Sequence, residues 1–252
     1  MTVDTAGSPT DLLEVDDDAD LIEVLASHGW GDGLPVVAPT SERVGAMLAG
    51  CNGHDPEEVV ASLPPRFGQA TRLAIAVNAV MAGCLPDHLP VLVSAVRALA
   101  HPDLNLRGVN ATTHCVAPLL VVHGDVARTA GYHGGLGAFG PGSRANAATG
   151  RALRLILLHV AGATPGDGDA STQGGPAKFG FCVAENLEAS PWTGYAASVG
   201  VEAPSAVTIH CGEAPHNVHD MESSSPTGIL DKVASAMATT AQNNACISQG
   251  EY

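Results

Sequence analysis

Four stretches of the chain gather side chains that can ionise, ligate or carry protons. Asn110-Ala111-Thr112-Thr113-His114-Cys115 stands just ahead of an apolar run, where a strand end can aim a histidine or thiol into a cleft. Extended backbone turns neighbouring side chains to opposite faces, so His114 and Cys115 are not expected to work as a pair. The other reading is a polar turn around a packed His and Cys. Tyr132 to Asn146 contains G-x-G-x-x-G at Gly135, Gly137 and Gly140. A dinucleotide fold needs a strand directly before the glycines and an acidic residue at a set distance after them, and neither is found. What survives is a glycine loop feeding a helix start. Its backbone N–H groups, with Ser143, Arg144 and Asn146, suit an anion or carboxylate; the alternative is a surface loop.

The third stretch, 162–192, holds Lys178, Cys182, Glu185, Asn186, Glu188 and Trp192. Glu185 and Glu188 follow an apolar run and could serve as general acid and base, or could sit in a helix first turn. Cys182 within that run packs as a small hydrophobe, unless a cation such as Lys178 lowers its pKa and makes it a nucleophile or reductant. The fourth is His210-Cys211-Gly-Glu213-Ala-Pro-His216-Asn217-Val-His219-Asp220. Three histidines among thiol and carboxylates admit a Zn or Cu site at His210, His216 and His219, although the spacing matches no standard signature. Alternatively, a single histidine with Asn217 contacts a ligand.

These stretches need elements to hold them. Helical patterns are expected from Leu12 to His28, Glu42 to Ala49, Thr71 to Ala82, Asp87 to Ala100, Ala145 to Val160 and Ile229 to Gln242. Asp55-Pro56-Glu57-Glu58 has the residue order of a helix start. Ala117–His123, Phe179–Val183 and Ala206–Cys211 read as strands. Interspersed helices and strands imply an α/β (or α+β) fold, one domain over residues 11–252 around a mostly buried sheet, behind a disordered acidic arm at 1–10. Loops at 131–143, 162–177 and 212–227 exceed ordinary connections, which marks them as functional or disordered.

Composition excludes some classes of partner. The net charge is −15, lysine occurs only at Lys178 and Lys232, and seven acids fall in the first 20 residues. No basic stripe is present for nucleic acid, and anionic membranes would repel the chain. No signal-peptide pattern and no bilayer-length apolar run is visible. Six cysteines without C-x-x-C are expected to be free thiols in a cytoplasmic protein.

Motifs along most of the chain resemble a bacterial family. They are Gly31-Asp-Gly-Leu-Pro-Val, Asn78-Ala-Val-Met-Ala-Gly-Cys, Ala111-Thr-Thr-His, Gly140-Pro-Gly, Arg144-Ala-Asn-Ala, Gly150-Arg-Ala-Leu-Arg, Phe181-Cys, Ala184-Glu-Asn, Glu188-Ala-Ser-Pro-Trp and His216-Asn-Val. Members of the family occur beside, or fused to, small thiol redox domains carrying Cys- or selenocysteine-Gly-Ser-Cys (UGSC-type). The resemblance implies a thiol or selenol partner, and the Gly-Ser-Cys motif is absent from this chain. Relatives continue past the segment matching Gln242-Asn-Asn-Ala, which suggests a large subunit whose site a small second protein completes.

The expectation is an enzyme subunit acting on a small, carboxylate-bearing metabolite by thiol-assisted redox or lyase chemistry. Ser143, Arg144 and Lys178 would hold the anion, with Asn110, Thr113, Asn146, Asn186, Trp192, His216 and Asn217 around it. His114 and Glu185 would move protons, and Cys182 or a partner's thiol would attack. The alternatives are a metal-dependent hydrolase or lyase, and a non-catalytic scaffold for a small catalytic chain.

Overall fold

Local capping signals place most of the helices. The computed structural model describes residues 20–51 and 53–238, so the acidic arm at 1–10 lies outside it. Asp20 caps α1 (Leu21–Ser27) by accepting the Ile22 N–H, and Thr40 caps α2 (Ser41–Leu48) through Arg43. The hairpin of β1 (Val59–Leu63) and β2 (Gly68–Thr71) follows. Thr71 caps α3 (Arg72–Ala82), which stops at Gly83 with φ 85°. Then come α4 (Leu89–Leu99), α5 (Leu106–Ala111), β3 (Ala117–Gly124) and α6 (Asp125–Thr129). Ser143 caps α7 (Arg144–His159), the longest helix among the described residues. After β4 (Thr164–Pro165) and β5 (Gly168–Asp169) the order is β6 (Cys182–Ala184), α8 (Tyr195–Ser198), β7 (Ser205–Gly212) and α9 (Pro226–Met237).

The fold is α/β. Its central sheet is mixed, in the order β6-β3-β7, with β6 parallel and β7 antiparallel to β3. Leu120, Val122, Cys182, Ala184 and Cys211 share one face, and all are buried. Onto that side of the chain pack α4, against β7, and α7, against β6; α3 lies on α7. The opposite face carries Leu119, Val121, Val183, Ala206 and Thr208, which are half-buried, and the buried His123. The core is therefore built from Leu, Val, Ile and Ala, as the scarcity of aromatics requires.

Asp55-Pro56-Glu57-Glu58 does not start a helix; it is a turn leading into β1. The local cap is outcompeted by a long-range partner. Buried Arg72 takes Glu58 bidentately at 2.9 and 3.2 Å, and Leu73 N–H bonds Pro56 O at 2.8 Å. Only residues 21–27 of the expected first helix are helical within the described part. The strand expected over 179–183 begins at Cys182, because Pro176–Lys178 form a 3-10 turn.

Three ties fix α7. The Arg151 guanidinium grips Asp32 with two 2.8 Å bonds and also donates to Pro35 O and Leu34 O. Burial would raise the Asp32 carboxyl, but Arg151 and the Leu34 N–H outweigh it and hold it below its ordinary value. His159 accepts the Gly31 N–H at Nε2 (2.9 Å), so its Nδ1 carries the proton bonded to Asn78 Oδ1 (2.6 Å). Arg154 and Lys178 both bond Asp169, which is 3% exposed, at 3.1 and 2.8 Å. Burial drives the Arg154 guanidinium below its usual pKa, against the pull of Asp169.

Candidate functional site

A cleft of about 580 Å³ opens where the glycine-rich loop meets the start of α7. That volume falls in the range of small-molecule sites. Its lining includes Leu85, His88, His133, Leu136, Ser143 and Arg144. Gly134 explains why the loop can lie where it does. A Cβ there would stand 2.3 Å from Ala184 O, so the loop packs backbone to backbone on the end of β6. Ala184 N–H bonds His133 O at 3.1 Å and seals that contact.

Asn146 holds the loop in shape. Its Nδ2 donates to His133 O (2.8 Å) and Ala138 O (3.1 Å), and its Oδ1 accepts from His133 N–H (2.9 Å) and the Ser143 hydroxyl (3.1 Å). Ser143 in turn caps α7 through Asn146 N–H. Both side chains that sequence reasoning set around a substrate therefore bond the loop itself. Arg144 donates its Nε–H to Gly83 O at 2.9 Å. Its terminal amino groups, and the N–H groups of Arg144 and Ala145 in the first helical turn, have no acceptor among the described residues. A cation and a helix N-terminus thus border the same cleft, the usual setting for an anion. His88 forms the floor: its Nδ1 accepts the Leu85 N–H and its Nε2 faces Ala130 O. Burial lowers its pKa, favouring the neutral ring.

The other expected residues fall into separate places. Asn110, Thr113, His114 and Lys178 lie near the amino end of β3. Asn110 bonds Pro64 O, Thr113 O takes Thr172, and Lys178 neutralises Asp169 rather than facing the cleft. At about 3.3 Å per residue the eight-residue β3 separates this end from Glu185, which lies alongside His123, by about 20 Å along the strand. Cys182 is buried between sheet and α7, and burial pushes its thiol far up. Cys84 and Cys211 are likewise raised by burial to about 12. None of these three is a ready thiolate. Asn186, Trp192, His216 and Asn217 are exposed on loops, Trp192 by 80%. His210 is on β7, whereas His216 and His219 stand apart in the following coil. Among the described residues no three His, Cys, Asp or Glu side chains gather to hold a metal ion.

Glu185 occupies a position that sequence reasoning only half identified. Its Oε2 meets Nδ1 of His123 at 2.7 Å, and its Oε1 accepts the Tyr195 N–H at 2.6 Å. Burial would raise the carboxyl, but these two donors outweigh it and hold it below the ordinary value. His123 Nε2 lies 2.9 Å from the Thr208 hydroxyl, and the Tyr195 ring stacks over the imidazole at 6.0 Å. His123 and Thr208 drew no attention in the sequence. The available signal was a histidine closing the apolar run Ala117–Val122, since a buried polar group requires a partner. No helix among the described residues is long and apolar enough to cross a membrane. Comparison of the chain with protein-family models, with curated proteins and with solved structures found no match.

Proposed function

We propose that this chain is the substrate-holding subunit of an enzyme acting on a small carboxylate-bearing metabolite. The cleft at the start of α7 carries the reading: the Arg144 guanidinium and free first-turn N–H groups border a cavity of metabolite size. A carboxylate there would accept from Arg144 and from the helix end, while Leu85 and Leu136 meet the apolar part of the molecule. The thiol chemistry comes from a small second protein of the Cys- or selenocysteine-Gly-Ser-Cys type. Two features support that assignment. The motif-level resemblance points to such a partner, and Cys84, Cys182 and Cys211 are all buried. Leu136, fully exposed, and Phe139, about half exposed, stand on the loop beside the cleft and offer that partner an apolar contact.

Calorimetric titration with malonate tests the binding step. A charge-assisted bond is worth about 1.5–3 kcal/mol, so Arg144→Glu is expected to weaken malonate by at least about tenfold with little change in melting temperature. Equal affinity in the two proteins would overturn the cleft assignment. Full turnover of a small carboxylate by the chain purified alone would overturn the subunit role and leave the cleft standing.

A further inference from the structure

Glu185, His123 and Thr208 form a row across all three strands of the central sheet. The row follows from register. Parallel pairing sets Val122 beside Ala184, so the next residues, His123 and Glu185, come alongside, and the Glu185 N–H bonds Val122 O at 3.0 Å. Antiparallel pairing sets His123 opposite Ala206 and Val121 opposite Thr208. Residues two apart on a strand share a face, so Thr208 is the diagonal neighbour of His123 on the same side. That is the side away from α4 and α7, and the start of α8 lies over it at Tyr195.

The hydrogen-bond roles follow from chemistry. An ionised Glu185 only accepts, so Nδ1 of His123 carries the hydrogen between them. The neutral ring then has its lone pair on Nε2, and the Thr208 hydroxyl donates to it. Glu185 is fixed from its other oxygen by the Tyr195 N–H, and the imidazole is held beneath the Tyr195 ring. Carboxylate, imidazole and hydroxyl thus stand in the order and contact distances of an activated-hydroxyl triad. His123 is buried, whereas Glu185 and Thr208 are half-buried, and Thr208 makes no other side-chain hydrogen bond among the described residues. On the same face Val121 stands opposite Thr208 and Leu119 diagonal to it, with Ala206 and His210 two residues away along β7.

We infer that Thr208 Oγ is a nucleophile for acyl transfer from small esters or thioesters with an apolar acyl group, activated by His123 and oriented through Glu185. Thr208 Oγ attacks the acyl carbon while its proton passes to His123 Nε2. The bond from the acyl carbon to the leaving oxygen or sulfur breaks, and that atom takes the proton from Nε2. Water then attacks the acyl-threonine, gives one proton to Nε2, and Thr208 Oγ leaves with it. The sum is ester or thioester plus water to carboxylic acid plus alcohol or thiol, with no change of oxidation state. Glu185 stays ionised and stabilises the imidazolium. This site is on the face opposite α4 and α7 and does not depend on an anion in the α7 cleft.

The probe is p-nitrophenyl acetate, with release of p-nitrophenol followed by absorbance and the acetyl group located by peptide mass spectrometry. The expected result is acetyl on Thr208 in the unmodified chain and none in Thr208→Val, a substitution of nearly equal volume. His123→Gln should slow acetylation by about 100-fold or more. Melting curves of all three proteins identify any variant that has unfolded. Absence of acetyl on Thr208 in the folded chain, with p-nitrophenol release no faster than in folded Thr208→Val, overturns the inference. So does acetylation at that residue at an unchanged rate in folded His123→Gln.

Discussion

Replacing Asn146 tests whether the glycine loop is held by a side chain or is only draped over the cleft. Asn146 is 4% exposed and makes four hydrogen bonds, all to the loop or to Ser143 at its end. Each intramolecular bond contributes about 1 kcal/mol net. His133 is exposed, so water re-solvates its backbone in the variant and recovers part of that loss. The small cavity left by truncation adds to it. The expected cost of Asn146→Ala is therefore about 2–4 kcal/mol. A chain of this length melts about 2–4 °C lower per kcal/mol, so the drop should be roughly 5–15 °C. Asn146→Asp separates bonding from volume. It keeps the shape but sets a carboxylate oxygen against the carbonyls of His133 and Ala138, and should cost at least as much as the alanine. Thermal unfolding by circular dichroism gives the stability, and hydrogen exchange over residues 133–142 gives the loop. A melting point within about 2 °C of the unmodified chain, with unchanged exchange in that segment, would refute the reasoning.

Three further outcomes follow from buried charge, a buried imidazole and a backbone contact. Asp169→Asn leaves Arg154 and Lys178 without their anion and should cost about 3–5 kcal/mol, visible as a large fall in melting temperature. Burial lowers the His159 pKa to about 4. Between that value and about 6.5 the unfolded chain binds the extra proton, so stability is full above pH 6.5 and declines as pH falls towards 4. The decline from this group should amount to about 2 kcal/mol by urea unfolding at pH 7 and 4.5, and His159→Gln should reduce it by that amount. Gly134→Ala drives a Cβ against Ala184 O and should lift the loop from β6 at about 1–3 kcal/mol; malonate affinity unchanged from the parent would show that the loop does not shape the cleft.

How much could be read beforehand depends on how local the cause is. Thr71 and Gly83 bracket an apolar stretch, and Ser143 stands before another, so α3 and α7 are legible from neighbours in sequence. The loop that shapes the cleft is legible for the same reason: glycines and Ser143-Arg144 adjoin a helix start. The misread turn at Asp55–Glu58 has its cause 14 residues away, in Arg72. Lys178 shows the same limit, because its attraction to Asp169 is hidden by the fold of the intervening loop. The row Glu185–His123–Thr208 was the least legible. It depends on strand order and register, and a single threonine in a strand rich in β-branched residues gives no hint of either.

The ties on α7 bear on what the motifs along this chain mean. Gly31-Asp32, Asn78 and Gly150-Arg151 through Arg154 act on the body and far end of the helix, whereas the cleft is at its start. Those motifs secure the direction in which the helix points. They leave the residues that meet a ligand free to change. Two chains sharing every one of these anchors would aim a helix N-terminus into the same space and could still differ in the molecule received there, because Leu85, Leu136 and Arg144 carry none of the anchoring bonds to Asp32, Asn78 or Asp169.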